Sequence, residues 1–219
     1  MGLIEKIKKQ GWIYSFAILF NRIVPAWLFR CRRFVVLQLD ETRSNPAPAN
    51  VEVSWCQTES EYTTVEELTY FRRANSEADF VACQAKRDGK VAGGFWAASK
   101  WFDENGIGVR IELEPQQVWL FAAVVEKQFR GQGVHSAVLE FIIPGLASKG
   151  FKEIFLSVNP DNLGSYHVHK KRSKQILGTV YSFRLFSIAI CWSRGSVKCD
   201  RFMTFEASSN PIRLRLNSD

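Results

Sequence analysis

The sequence predicts a mixed α/β fold, and three stretches carry that reading. "QQVWLFAAVVE" (116–126) is a nearly continuous apolar run, as expected of a central strand buried on both faces. "QFRGQGVHSAVLEF" (128–141) follows it, a glycine-rich turn running into apolar residues at helical spacing. "FVACQAKRDGKVAGGFWAAS" (80–99) reads as a β-hairpin, its Asp88-Gly89 pair suited to a tight turn with positive φ.

The remaining elements follow in chain order. Leu3, Ile4, Ile7, Trp12, Ile13, Phe16, Leu19, Phe20 and Ile23 recur at helical spacing, with Lys6, Lys8, Lys9 and Arg22 as cationic partners. The uninterrupted apolar run is far shorter than the ~20 residues that span a bilayer. Lysines ahead of a short apolar stretch and "VPA" at 24–26 resemble a secretory signal, but Arg22 inside it and the unpaired cysteines argue against one. "MGLIEK" lacks the Ser or Thr expected at position 6 for myristoylation. Two readings of residues 3–23 stay open: a helix packed on its own domain or a twin subunit, and a basic amphipathic helix on an anionic membrane surface.

"RRFVVLQLD" (32–40) reads as a strand and "ETRSNPAPAN" (41–50) as a linker. The expected division is an N-terminal helix and strand extension over 1–47 and a domain over 48–219. "VEVSW" (51–55) alternates like a strand. "ESEYTTVEELTYFRRANSE" (59–77) is helical, with Thr58 or Ser60 as N-cap. "DENGIG" (103–108) is expected to be a loop. The helix begun near Val134 meets Pro144 and should kink or stop near Ile143. "FKEIFLSVN" (151–159) is a strand, and "PDNLGSYHVHKKRSK" (160–174) a turn leading into a short basic helix. "GTVYSFRLFSIAICW" (178–192) and "VKCDRFMTFE" (197–206) pair as a hairpin about "SRGS", and "PIRLRLNSD" (211–219) adds an edge strand or frays. No internal repeat is visible.

Composition narrows the function classes. At 219 residues and 46% hydrophobic, with seven Trp and seventeen Phe, the chain can build one large core. Its net charge of +7 favours anionic partners without choosing among phosphates, acidic lipid and nucleic acid. Five cysteines without C-x-x-C spacing suggest neither a disulfide framework nor a zinc site, and point to a reducing, cytoplasmic compartment.

A strand, a glycine-rich turn and a helix start form an anion-binding device. Helix N-termini expose unpaired N–H groups, and glycine lets backbone approach a phosphate without Cβ interference. The run is neither G-x-x-x-x-G-K-[ST] nor G-x-G-x-x-G, and its antiparallel context is unlike a dinucleotide-binding βαβ unit.

"VVEKQFRGQGV" resembles motif A of the GNAT N-acetyltransferase superfamily: a valine ending the central strand, four residues, then R/Q-x-x-G-x-G/A. Val125, Arg130 and Gly133 fit in register, and His135 stands at the last small position. The register Gln128-x-x-Gly131-x-Gly133 fits the short motif but spoils the valine spacing. "VNPDNLGSYHVHKK" resembles the family's following block, N-x-x-S-x-x-x-Y-x-K. There Asn162, Ser165 and Lys171 match and His169 replaces Tyr. The resemblance covers about residues 51–190.

The resemblance implies a mostly antiparallel sheet splayed between two parallel strands, ending at Val125 and Val158. It implies acetyl-CoA or another acyl-CoA as co-substrate, and direct attack of an amine on the thioester. Pyrophosphate would meet the amides of Gly131, Gln132, Gly133, Val134, His135 and Ser136, with Arg130 holding the turn. Pantetheine would pair along Val124 and Val125 and meet Asn162. Glu126 is the candidate base, and His169 the candidate acid, with Tyr166 second. No metal is needed. Three functions stand: an acetyltransferase for a small amine, a longer-chain acyltransferase at a membrane surface using acyl-CoA or acyl carrier protein, and a non-catalytic acyl-CoA sensor. The expected partners are a small-molecule amine, lipid through residues 3–23, and a second copy in a homodimer. Nucleic acid is not expected, because "HKKRSK" falls on the cofactor side of such a fold. The expected location is cytoplasmic, or peripheral to the inner face of a membrane.

Overall fold

The computed structural model describes residues 20–21, 23–25, 28–43, 50–73, 79–104 and 106–217. The chain forms two compact units, one of residues 36–102 and 113–176, the other of residues up to 35, 103–112 and 177 onward. Of the predicted amphipathic helix over 3–23, only Phe20, Asn21 and Ile23 are among the described residues, and these are helical. No described helix is long and apolar enough to cross a membrane.

The unit of residues 36–102 and 113–176 holds the end of β1 (Phe29–Leu39), β2 (Glu52–Trp55), β3 (Phe80–Arg87), β4 (Lys90–Ala98), β7 (Gln117–Val125) and β8 (Glu153–Val158). These lie in the order β1-β8-β7-β4-β3-β2. β2, β3, β4 and β7 pair antiparallel in succession, and β7 pairs β8 in parallel. The β3–β4 turn has the predicted form, with Asp88 at φ 51° and Gly89 at φ 73° between the partners Arg87 and Lys90.

The parallel pair is closed at one end and open at the other. Its register runs from Gln117↔Glu153 to Leu120↔Leu156 and stops. At the closed end the Glu153 carboxylate accepts from Gln117 Nε2 at 2.9 Å and Gln38 Nε2 at 3.4 Å, tying three strands together. Beyond Leu120 a β-bulge sets Ala122 and Ala123 opposite Phe95 alone, and Ala122 takes φ 49°. An extra residue on one strand bends it and increases its twist, which turns the end of β7 away from β8.

α1 (Glu59–Thr69) and α2 (Val134–Ser148) cover opposite faces of this sheet. Gly93 and Gly94 of β4 show why. A Cβ on Gly94 would lie 2.9 Å from Val65 Cγ1 of α1, and one on Gly93 would lie 3.1 Å from Val134 Cγ1 of α2. Successive strand residues face opposite ways, so the glycine pair admits a helix on each side. α1 opens at Thr58 with a capping box, Glu61 Oε2 accepting from the Thr58 amide at 3.0 Å. It ends at Tyr70 in the left-handed conformation, earlier than the sequence pattern suggests.

α2 does not stop early at Ile143: it passes Pro144 and continues to Ser148. Pro144 itself is exposed, while Leu139, Ile142, Ile143 and Leu146 are buried and hold the helix to the sheet. α3 (Leu163–Lys171) is the predicted short basic helix.

The other unit contains the remainder of β1 and most of β9 (Ser173–Leu185), with β10 (Ile188–Gly195) and β12 (Met203–Thr204) beyond it. Its second sheet has the order β11-β13-β6-β5, from β11 (Val197–Cys199), β13 (Ile212–Leu216), β6 (Val109–Glu112) and β5 (Trp101–Glu104). Three sequence readings change here. The 178–192 run is broken by a tight turn at Phe186 and Ser187, with Phe186 at φ 53°, so only its second half, β10, makes the expected antiparallel pairing with 197–206, through Ala189 with Thr204 and Ile190 with Met203 of β12. "DENGIG" begins within β5. The C-terminal strand is interior, pairing β11 antiparallel and β6 parallel.

Candidate active site

The site is built where β7 leaves β8. The Glu126 amide donates to Ala92 of β4 at 2.9 Å. The carbonyl of that trans peptide belongs to Val125 and points the opposite way, toward the splay. Arg130 Nε donates to this carbonyl at 3.1 Å, folding the segment back through a 3-10 turn (Lys127–Phe129). Arg87 Nη1 donates to the Gln132 carbonyl at 3.3 Å, and Gln132 Nε2 donates to the Gln128 carbonyl at 2.8 Å.

Gly131 and Gly133 take φ 76° and 80°, values that L side chains rarely adopt. Gly133 is the N-cap of α2, and the helix's first backbone bond runs from the Ala137 amide to the Gly133 carbonyl at 2.9 Å. The amides of Val134, His135 and Ser136 precede that bond and stand at the positive end of the helix dipole. A Cβ at Gly131 would meet nothing within 4 Å, so the space before the turn is open.

That space is a cavity of about 620 Å³, within the range of small-molecule sites. The turn and α2 line it with Val125, Phe129, Arg130, Gly131, Gly133, Val134, His135 and Ser136, and α3 adds Gly164, Ser165 and Val168. Two helix N-termini therefore border one cavity.

One histidine sits at its wall and a second lies against it. His135 lines the cavity, its ring 4.9 Å from that of His169 in an edge-on contact. His169 is buried, lines no part of the cavity, and its Nδ1 has no hydrogen-bond partner. Burial, and then the Arg172 charge, push His135 down to about 4. Burial, and then His135, push His169 down to about 3. Both rings are neutral at neutral pH, and a neutral imidazole is a poor proton donor. Beneath them Arg172 pairs with Glu140 in the interior.

The sequence-predicted residues divide accordingly. Val125, Arg130, Gly131, Gly133, Val134, His135 and Ser136 come together at the cavity; Val124, Glu126, Gln132, Asn162, Tyr166 and His169 are not in its lining. Val124 pairs with Gly94 of β4. Asn162 Oδ1 caps α3 by accepting from the Ser165 amide at 3.3 Å. Tyr166 lies beside Lys170, whose Nζ is 5.8 Å from the ring centroid. Sequence reasoning missed Phe129, Gly164 and Val168 as lining and Arg87 as a brace. Arg87 is 45 residues from Gln132, and no local pattern announces such a contact.

The family model of the acetyltransferase (GNAT) family matches residues 47–173, and the chain belongs to that family. No curated protein matches the chain. A Drosophila protein of known structure superposes with a TM-score of 0.50 at 11% identity, over 80% of this chain and 58% of its own. A GCN5-related N-acetyltransferase from Kribbella flavida gives 0.48 at 12%, over 84% and 63%. A glucosamine-6-phosphate N-acetyltransferase from Arabidopsis thaliana gives 0.37 at 19%, over 57% and 95%. The chain thus spans about three-fifths of the length of the Drosophila and Kribbella proteins.

Proposed function

We propose that the protein transfers an acyl group, acetyl in the first instance, from coenzyme A to an amine. The observation that carries this reading is the cavity bounded by the Gly131–Ser136 turn and the start of α3. Its residues fit a diphosphate: two positive-φ glycines, with open space at Gly131, three helix-start amides, and Arg130 at the rim. The pantetheine arm would run along the free edge of β7, where the parallel pairing has ended.

When bound, the co-substrate supplies a thioester carbonyl open to amine attack. The chain's part is to hold and orient it. Arg130 and Arg87 fix the turn that receives the phosphates. His135, neutral, meets the ligand by hydrogen bonding rather than by charge. Among the described lining residues there is no carboxylate, so a carboxylate base would have to reach the amine from outside the lining. Glu126 adjoins Val125 and is the nearest carboxylate along the chain.

Calorimetry with acetyl-CoA, paired with thiol release against a panel of amines, tests the reading. Saturable binding that Gly133→Asp weakens at least ~10-fold, with turnover of some amine, is the expected result. Binding without turnover of any amine would favour a sensor. Equal affinity in both proteins would remove the turn from the site.

A further inference from the structure

We propose that Cys191 and Cys199 are an oxidisable pair that closes to an intramolecular disulfide when the protein meets a peroxide. The two sulfurs are 3.8 Å apart with both thiols free. They sit on different strands, β10 and β11, eight residues apart in the chain. No sequence signal marks them, since the spacing matches no recognised motif.

Backbone contacts fix both positions. Cys191 is paired with Ser182 of β9, and its amide donates to the Phe202 carbonyl at 2.9 Å. Cys199 is paired with Leu214 of β13, and the next residue, Asp200, exchanges bonds with Arg213: its amide donates to the Arg213 carbonyl and its Oδ1 accepts the Arg213 amide, each at 2.9 Å. The sulfurs are therefore brought together by the ladders on either side.

The members differ in a way that suits them to separate roles. Cys191 is fully buried, whereas Cys199 is half-buried and open to a small oxidant. Hydrogen bonding with Cys191, then the Ser193 hydroxyl 3.6 Å away, hold the Cys199 thiol below the usual thiol range against the opposing effects of burial and Asp200. The neighbouring Cys199 and burial push Cys191 up. A thiolate is the nucleophile in such chemistry, so Cys199 attacks first.

The step balances with hydrogen peroxide. The Cys199 sulfur takes one peroxide oxygen as the O–O bond breaks, leaving a sulfenic acid and one water. The Cys191 sulfur then displaces the hydroxyl, forming S–S as S–O breaks, and its proton leaves in a second water. Two thiols are oxidised by two electrons and the peroxide is reduced to two waters.

The test treats the full chain with hydrogen peroxide, removes the excess with catalase, and alkylates the remaining thiols after denaturation. Tryptic cleavage after Arg194 and Lys198 puts the two cysteines on separate peptides, 185–194 and 199–201. The expected result is a loss of two hydrogens from the intact mass, three of the five cysteines alkylated, and those two peptides joined until reduced. Cys199→Ser should then leave Cys191 alkylated with Cys31, Cys56 and Cys83. Five alkylated cysteines, Cys199 sulfinic acid beside an alkylated Cys191, or a link between two chains would each overturn the pair.

Discussion

Arg130 reaches back five residues to place its Nε 3.1 Å from the Val125 carbonyl, joining the glycine-rich turn to the end of the strand it leaves. The arginine of the family motif is thus tied to its own backbone as well as bordering the cavity. Arg130→Met keeps the aliphatic stem and removes the donor. It should weaken acetyl-CoA binding about 10-fold, roughly 1.4 kcal/mol, with the melting temperature nearly unchanged. Arg130→Lys should recover little, since an ammonium lacks the planar fork that bonds one group and faces another. Calorimetry on the three proteins checks this. Unchanged affinity in Arg130→Met would leave the arginine only its place at the rim.

Gly94 makes a sharper test of the fold around the site. A Cβ added there would lie 2.9 Å from Val65 Cγ1, closer than packed atoms tolerate. Gly94→Ala should destabilise the protein by about 1–3 kcal/mol through overpacking. Val65→Ala removes the obstructing methyls, so the double variant should be more stable than the sum of the two single losses predicts. Denaturant unfolding of the four proteins gives the coupling, and strict additivity would show that α1 shifts instead.

How far the sequence discloses these relationships depends on how local they are. The Asp88-Gly89 turn and the helix start near Thr58 are set within a few residues, so local spacing points to them, although it leaves Thr58 and Ser60 open as the cap. The anion-binding turn is legible for the same reason: strand, glycines and helix start are contiguous. The hairpin at Phe186 and Ser187 offers no glycine or asparagine at its positive-φ position, so the pattern reads on as one strand. β13 reads as an edge because nothing in "PIRLRL" shows that β6 and β11, far apart in the chain, flank it. His169 occupies a motif position usually held by tyrosine, but its burial against His135 is settled by how α3 packs.

The Arg172–Glu140 pair carries a stability prediction. Both side chains are nearly out of solvent, at 4% and 11% exposed, and burial lowers the Arg172 pKa. Glu140→Ala would leave a guanidinium charge inside without its carboxylate, and should cost about 3–5 kcal/mol. Replacing both, Glu140→Leu with Arg172→Met, should cost much less, since no charge is then stranded. Thermal unfolding of the single and double variants decides it. Equal losses in the two proteins would mean that the pair itself, rather than the stranded charge, sets the cost.

The histidine pair makes stability depend on pH in a defined window. Unfolded, each ring takes a proton near its ordinary pKa of about 6.5. Folded, His135 does so only near 4 and His169 only near 3. Between those limits the unfolded chain binds more protons than the folded one, so stability must fall as pH falls. The loss begins as pH drops through the unfolded value and continues until the folded value is reached; above about pH 7.5 it vanishes. Each ring contributes a slope of at most about 1.4 kcal/mol per pH unit. Asp40 and Glu61, held below the carboxylate range chiefly by hydrogen bonds from Thr42 and from the Gln57 and Thr58 amides, lose stabilisation only at lower pH, so about pH 5 to 7 reports the histidines. His169→Phe keeps a flat ring in the buried position and removes the titrating group. Its unfolding free energy should therefore change less steeply than the wild type's between about pH 7 and 5, whatever its stability at neutral pH. Parallel urea titrations at several pH values measure both slopes, and a wild-type slope that His169→Phe does not reduce would place His169 in contact with solvent.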